Sequence, residues 1–268
     1  MLVMISSLKN PKLKQLQKLR ERKGRRQSGC FLVEGAREVE RAFLGGFSVV
    51  ELYVCQKLMC STASALLSKT TLEPHQVEEK VFEKLVVRSS AGGIIGVFRQ
   101  KSFDIASVMD REKKTKPPLF FLLEGVEKPG NLGAILRTAD AVGADGVILV
   151  DSTIDPYNPN VVRSSLGALF SVPVFSLSFE AFLAFAKKAG IEVVAAFPGA
   201  KESYAVKDYR GPVALAFGSE DKGLQPRWRP VAAPVAIPML GICDSLNLSV
   251  SVAVLAYEAL RQRSLPCE

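Results

Sequence analysis

The 268-residue chain has a single histidine, a single tryptophan and no apolar run near the roughly 20 residues that a membrane-spanning helix needs. Each shortage removes a class of function. His75 follows Pro74 in a polar stretch and reads as a loop residue rather than a catalytic base. The five cysteines, Cys30, Cys55, Cys60, Cys243 and Cys267, are odd in number and form no C-x-x-C pair. That usage suits a reducing compartment, argues against a disulfide framework and, with one histidine, against a metal site. The apolar run at residues 1–5 is too short for a signal peptide, so a cytoplasmic location is expected.

What is present is a hydrophobic content of 48%, enough for a core, and a formal net charge of +8. Residues 9–26 hold nine Lys/Arg and one acid, Glu21, so this segment alone carries the whole net charge. Leu13, Leu16 and Leu19 recur at helical spacing, which predicts a helix with one apolar edge and basic faces, broken at Gly24. A solvated helix face is the plain reading. The concentration of charge favours a phosphate-binding patch of Lys12, Arg22, Lys23, Arg25 and Arg26, which would add affinity without sequence specificity.

The first hundred residues alternate short strands and helices: strands at 31–35, 49–54 and 93–98, helices at 36–44, 63–67 and 81–85. Residues 101–118 turn polar and end in Pro117-Pro118. From Leu119 the alternation is regular. Strands are expected at 119–123, 146–150, 191–196, 213–217 and 235–237, and helices at 132–142, 161–169, 182–188 and 247–261. The expected fold is α/β: a small domain at 1–105, a linker at 106–117 and a larger domain at 118–268 with a mainly parallel sheet covered on both faces. The last helix is apolar on nearly every side and should be buried in the core or at a subunit interface.

Three short motifs lie in the larger domain, each at a strand end, where open α/β sheets bind ligands. They are N-L-G-A-I-L-R-T-A at 131–139, F-G-S-E-D-K-G-L at 217–224, and I-P-M at 237–239 followed by S-L-N-L-S-V at 245–250. The first motif, with Asp151 about 20 residues on, mimics a dinucleotide fingerprint, but the turn offers Gly130-x-x-Gly133 rather than G-x-G-x-x-G. Gly218 would let backbone approach a ligand, and Ser245 would cap the last helix.

Taken in order, the three motifs resemble those of the SpoU/TrmH-type ribose 2′-O-methyltransferases of the SPOUT class, over roughly residues 118–263. The stretch F-L-V-E-G-A-R-E-V-E-R at 31–41 resembles the L30e-like substrate-binding domain found ahead of many such catalytic domains. In it, Glu34 and Arg37 are the polar positions and read either as an ion pair at the strand–helix corner or as RNA contacts, of which Arg37 is the candidate carried forward. The resemblance implies a deep trefoil knot, a homodimer formed through the C-terminal domain, and methyl transfer from S-adenosyl-L-methionine to an RNA ribose. It implies catalytic roles for Asn131, Arg137, Glu220, Ser245 and Asn247, with Glu220 pairing Arg137 or Asn247. Phe197, Gly218, Ile237, Met239, Ser245 and Leu246 would hold the cofactor. Arg137 keeps its proton too firmly to act as a base and would instead orient the hydroxyl and steady the developing alkoxide. Ribosomal RNA, at a guanosine, is favoured over transfer RNA. The rivals are a base- or protein-directed methyltransferase and a non-catalytic RNA-binding assembly factor.

Overall fold

The computed structural model describes residues 4–87, 91–108 and 116–264. Residues 1–3, the middle of the expected linker at 109–115, and Cys267 lie outside them. The chain forms two compact units. The first comprises residues 1–101 and 155–171, the second residues 102–154 and 172–268.

In the first unit, helices α1 (Pro11–Lys18) and α2 (Arg22–Ser28) precede strand β1 (Cys30–Glu34) and helix α3 (Ala36–Leu44). Strand β2 (Val49–Val54), helix α4 (Ser61–Leu67), the two-residue strand β3 (His75–Gln76), helix α5 (Glu79–Leu85) and strand β4 (Ile94–Arg99) follow. The sheet order is β1-β4-β2-β3, with β4 antiparallel to both neighbours and β3 parallel to β2. Leu13, Leu16 and Leu19 are buried with Leu32, Phe82 and Ile95. Each such leucine contributes about 1.5–3 kcal/mol.

The basic segment is two helices, and the break falls at residues 19–21 instead of at Gly24. Asn10 caps α1 by accepting from Lys12 N. Gly24 lies inside α2, where a Cβ would overlap the Lys18 carbonyl, so the glycine lets the two helices meet closely. His75 likewise sits in β3, paired with Tyr53, rather than in a loop.

Residues 155–171 lie between strands of the larger domain in sequence but pack within the first unit. Tyr157 packs against Phe31 with ring centres 4.5 Å apart, and its hydroxyl donates to Lys101 O at 2.7 Å. Burial pushes that phenol up to about 12. The helix expected at 161–169 is a shorter α8 (Pro159–Ser164) followed by a single turn at Ala168–Phe170. Leu166 and Gly167 take positive φ (49° and 92°), and Arg41 donates to the Leu166 carbonyl, which ends the helix.

The second unit opens with α6 (Ile105–Val108), and Phe103, Ile105 and Val108 pack on its core, so the start of the polar stretch is not a free tether. It continues through β5 (Leu119–Glu124), α7 (Pro129–Val142), β6 (Gly146–Val150), β7 (Val174–Leu177), α9 (Phe179–Ala189) and β8 (Glu192–Ala196). Strands β9 (Val213–Phe217) and β10 (Ala233–Val235) and helix α10 (Leu248–Ser264) complete it. The six strands run in the order β10-β8-β9-β5-β6-β7, and every pair is parallel. β5 and β9 are central and buried throughout, which explains their apolar sequences, unbroken but for Glu124 at the end of β5. Gly143 ends α7 in the left-handed conformation, as its position suggested. β7 escaped the sequence reading, because Val174–Leu177 is short and follows Pro173.

Candidate active site

The chain turns back on itself between β5 and β9: β6 and β7 lie on one side, β8 and β10 on the other. The loops leaving the carboxyl ends of β5, β8, β9 and β10 therefore surround one crevice. A cleft of about 710 Å³ opens there. Phe197, Gly218, Ile237, Met239, Ser245 and Leu246, the six residues expected at a cofactor, all line it. Glu220 and Asn247 line it too.

Gly218 has a different task from the one its type suggested. A Cβ there would overlap the Gly223–Leu224 peptide, so the close approach is to the chain itself. The loop folds back as a tight turn, with Gly223 N donating to Ser219 O at 2.9 Å and Gly223 at φ 64°.

Three of the expected catalytic residues meet. The Asn131 amide donates to Glu220 Oε1, and Asn247 Nδ2 donates to Asn131 Oδ1 at 3.4 Å. Asn247 Oδ1 accepts from Ser249 N at 2.9 Å and from Ser249 Oγ at 2.7 Å. Asn247, not Ser245, is thus the cap of α10, because its short amide reaches forward to the free amide of the second helical residue, Ser249. Ser245 lies two residues outside and donates to Asp244 Oδ1 at 3.3 Å. Lys128 approaches Glu220 Oε1 at 3.9 Å.

Arg137 is not joined to this chain of bonds. It lies six residues beyond Asn131 on α7, a rotation of about 240° and a rise of roughly 9 Å. Its side chain is exposed, and no described residue bonds to it. The expected Glu220–Arg137 pair gives way to Glu220 with Asn131 and Lys128.

Sequence reasoning missed the group that holds the Glu220 loop. Glu124, buried at the end of β5, accepts from Gln225 N at 2.9 Å and from Arg227 Nε at 3.1 Å and Nη2 at 2.5 Å. Arg227 also reaches Asp151 at 2.7 Å and lies 4.4 Å from the centre of the Phe179 ring. Partial burial opposes the guanidinium charge, but the bonds to Glu124 and Asp151 outweigh it and raise the Arg227 pKa. Arg227 falls outside all three motifs, so nothing in the sequence singles it out. Glu124 offers only one signal, a charge ending a wholly apolar strand.

In the first unit, Lys12, Arg22, Lys23, Arg26 and Arg37 are exposed. Arg25, expected among the phosphate contacts, is buried. It donates to Asp155 Oδ2 at 2.8 Å and to the carbonyls of Leu19 and Arg20 at 2.9 and 2.8 Å, tying off the end of α1. The Glu34–Arg37 pair does not form either. Glu34 pairs with Arg20 at 2.7 Å and accepts from Val87 N, while Arg37 approaches Glu38 at 3.9 Å.

The chain was also compared with known proteins. Residues 118–257 match the SpoU rRNA methylase family, and residues 10–96 match the MRM3-like substrate binding domain. The chain is 28% identical to the 23S rRNA (guanosine(2553)-2′-O)-methyltransferase RlmP of Bacillus subtilis, over 94% of this chain and 97% of that one. It is 31% identical to a 23S rRNA (uridine(2479)-2′-O)-methyltransferase of Streptomyces viridochromogenes, over 95% and 91%. The crystal structure of the SpoU methyltransferase AviRb from Streptomyces viridochromogenes in complex with AdoMet superposes with a TM-score of 0.84 at 30% identity, covering 95% of this chain and 98% of that one. The chain belongs to the SpoU rRNA methylase family, whose members are S-adenosylmethionine-dependent RNA 2′-O-methyltransferases.

Proposed function

We propose that this protein methylates a ribose 2′-hydroxyl of 23S-type ribosomal RNA, at a guanosine, with the catalytic machinery centred on Asn131, Glu220 and Asn247. The observation that carries the reading is the convergence of motif residues from three distant segments on one cleft at the β5–β9 crevice. The cleft's volume suits a small organic cofactor. Its apolar wall of Phe197, Ile237, Met239 and Leu246 suits an adenine ring. Its charged rim, with Lys128, Lys222, Arg229, Asp221 and Asp244, suits a zwitterionic amino-acid tail. When bound, S-adenosylmethionine supplies an electrophilic methyl carbon.

The chain's own residues position and polarise the acceptor. Asn131 occupies one oxygen of Glu220 and leaves the other as an acceptor for the ribose hydroxyl, whose oxygen gains electron density. The Asn247 amide has one hydrogen committed to Asn131 and a second to offer. Arg137, exposed and always charged, is suited to grip the RNA phosphate beside the reacting sugar and to stabilise negative charge on the oxygen. Ser245 lines the cleft beside Leu246.

The exposed basic residues Lys12, Arg22, Lys23, Arg26 and Arg37 then grip RNA phosphates, and the likeness to 23S rRNA methyltransferases supports ribosomal over transfer RNA. A homodimer through the second unit belongs to the same reading. Leu240, Ile242, Val250 and Tyr257 are exposed on α10 and the segment leading into it. So do the trefoil knot, for which the return of α10 onto α7 is the support, and a reducing cytoplasm, since Cys30, Cys55, Cys60 and Cys243 are all free.

The test uses purified protein, labelled S-adenosylmethionine and unmodified ribosomal or transfer RNA. Alkaline digestion should leave a labelled, resistant dinucleotide from ribosomal RNA, with guanosine as the methylated nucleoside. Uridine, as in the Streptomyces relative, would correct the base; label from transfer RNA alone would correct the substrate. Label within a base would sink the ribose assignment.

A further inference from the structure

The loop that carries Glu220 needs an anchor. It is exposed at Asp221, Lys222 and Gly223, and Leu224 is its one buried side chain. Gln225 N, at its end, donates to Glu124. Glu124 in turn ends β5 and begins the segment that leads through Lys128 to Asn131. Both of its oxygens are taken, one by the loop backbone and one by Arg227. Arg227 reaches on to Asp151, which ends β6 in a strained conformation with φ 44°. We propose that Glu124 and Arg227 are positioning residues that clamp the Ser219–Gln225 loop against the ends of β5 and β6, so fixing the wall of the cofactor cleft and the place of Glu220.

Stability alone does not explain the pair. A buried ion pair carries a desolvation cost, and apolar groups of the same volume often hold a core as well or better. What an apolar group cannot do is accept the Gln225 amide and fix where the loop ends. The guanidinium fork reaches two carboxylates at once, a geometry that lysine cannot copy. The proposal rests on the cofactor reading of the cleft.

The chain contains its own reporter. Trp228, the sole tryptophan, follows Arg227, is fully buried, and meets Phe179 edge-on at 4.8 Å. Its emission tells whether the fold around the clamp survives a substitution. The experiment measures S-adenosylmethionine binding by calorimetry, and single-turnover methylation, on the full chain. Glu124→Ala should raise the cofactor Kd tenfold or more, with Trp228 emission still blue and the binding stoichiometry unchanged. Glu124→Gln, which keeps one acceptor, should recover part of that loss. Arg227→Lys should raise Kd three- to tenfold, and Asp151→Asn about twofold or more. If Glu124→Ala unfolds, Arg227→Lys and the more exposed Asp151→Asn carry the test.

Folded variants that bind with wild-type Kd would overturn the clamp, as would a lower stoichiometry at unchanged Kd, which is the mark of a merely structural role. Leu246→Glu separates the two levels. If it leaves Kd unchanged, the cleft reading itself fails. If it weakens binding while the clamp variants do not, only the clamp fails.

Discussion

The two sheets of this chain present their chemistry in different places. The mixed sheet of the first unit, antiparallel except at the β2–β3 pair, buries most of β1 and β4, and exposed cations lie on α1, α2 and α3. The parallel sheet of the second unit gathers polar groups at the carboxyl ends of its strands. Most cations of the basic segment in the first unit therefore lie at the surface, yet residues that look alike in sequence differ completely in role. Arg22 and Arg25 both belong to the basic run, but one is exposed and the other holds Asp155. In the second unit Asn131, Glu220, Asn247, Glu124 and Arg227 are each held by named hydrogen bonds.

The sharpest break in the first unit is Arg25→Ala. It leaves Asp155 and two helix-end carbonyls without their donor, and loss of one member of a buried pair costs about 3–5 kcal/mol. Arg22→Ala, on the same helix, should move stability by less than about 0.5 kcal/mol. Urea unfolding of the two variants side by side checks the contrast. Equal effects would return Arg25 to the solvent face.

In the second unit the matching substitution should act on rate and spare the fold. Glu220→Ala removes the acceptor of Asn131 at the edge of the cleft. If Glu220 orients the reacting oxygen, kcat falls about 10²–10³-fold, or ~2.7–4 kcal/mol by analogy with loss of one preorganised electrostatic group. The melting temperature should stay within a few degrees. A large fall in stability with kcat preserved in the folded fraction would make Glu220 a structural brace.

Sequence reading served the two units unequally, for physical reasons. Buried parallel strands leave unbroken apolar runs, so β5, β6 and β9 were placed almost to the residue. The lining of the cleft was legible because the motifs that form it are short and local. The links between distant segments were not. Periodicity gives α2 a basic face, but it cannot say that Asp155, 130 residues on, will claim Arg25. Nor can it join Glu124 to Arg227, or show that Asn247 caps the helix that follows it while Ser245 stays outside. Residues 155–171 make the same point on a larger scale, since chain order assigns them to one unit and packing to the other.

A milder way to sharpen the comparison leaves Arg25 alone and removes its exposed neighbours. The triple variant Arg22→Ala, Lys23→Ala, Arg26→Ala should fold normally and bind RNA more weakly. The slope of log affinity against log salt should fall by about 0.7–0.9 for each phosphate that is no longer neutralised. Weaker affinity with an unchanged slope would mean that these residues act on RNA shape rather than on phosphates.

The smallest effect concerns the one histidine. Burial first, and then the Lys12 ammonium at 3.0 Å from its Nε2, lower the His75 pKa from its ordinary 6.5; Glu51, at 4.0 Å, opposes them. Tyr53, packed 5.0 Å away, has a phenol raised above its usual range, by burial first and then by its bond to Glu51, and stays neutral throughout. Between the lowered value and 6.5 the unfolded chain binds a proton that the folded chain resists. Stability should therefore rise with pH through that window, and the contribution should be lost as the solution is acidified below 6.5. Protonation also turns the Lys12 acceptor into a donor, so acid should loosen Lys12 from β3. His75→Gln removes the titration, and its stability should fall less than that of the wild type between pH 7 and pH 5.5. If the wild type instead gains on His75→Gln as the pH falls, Glu51 outweighs burial and Lys12 together, and the ring is held charged.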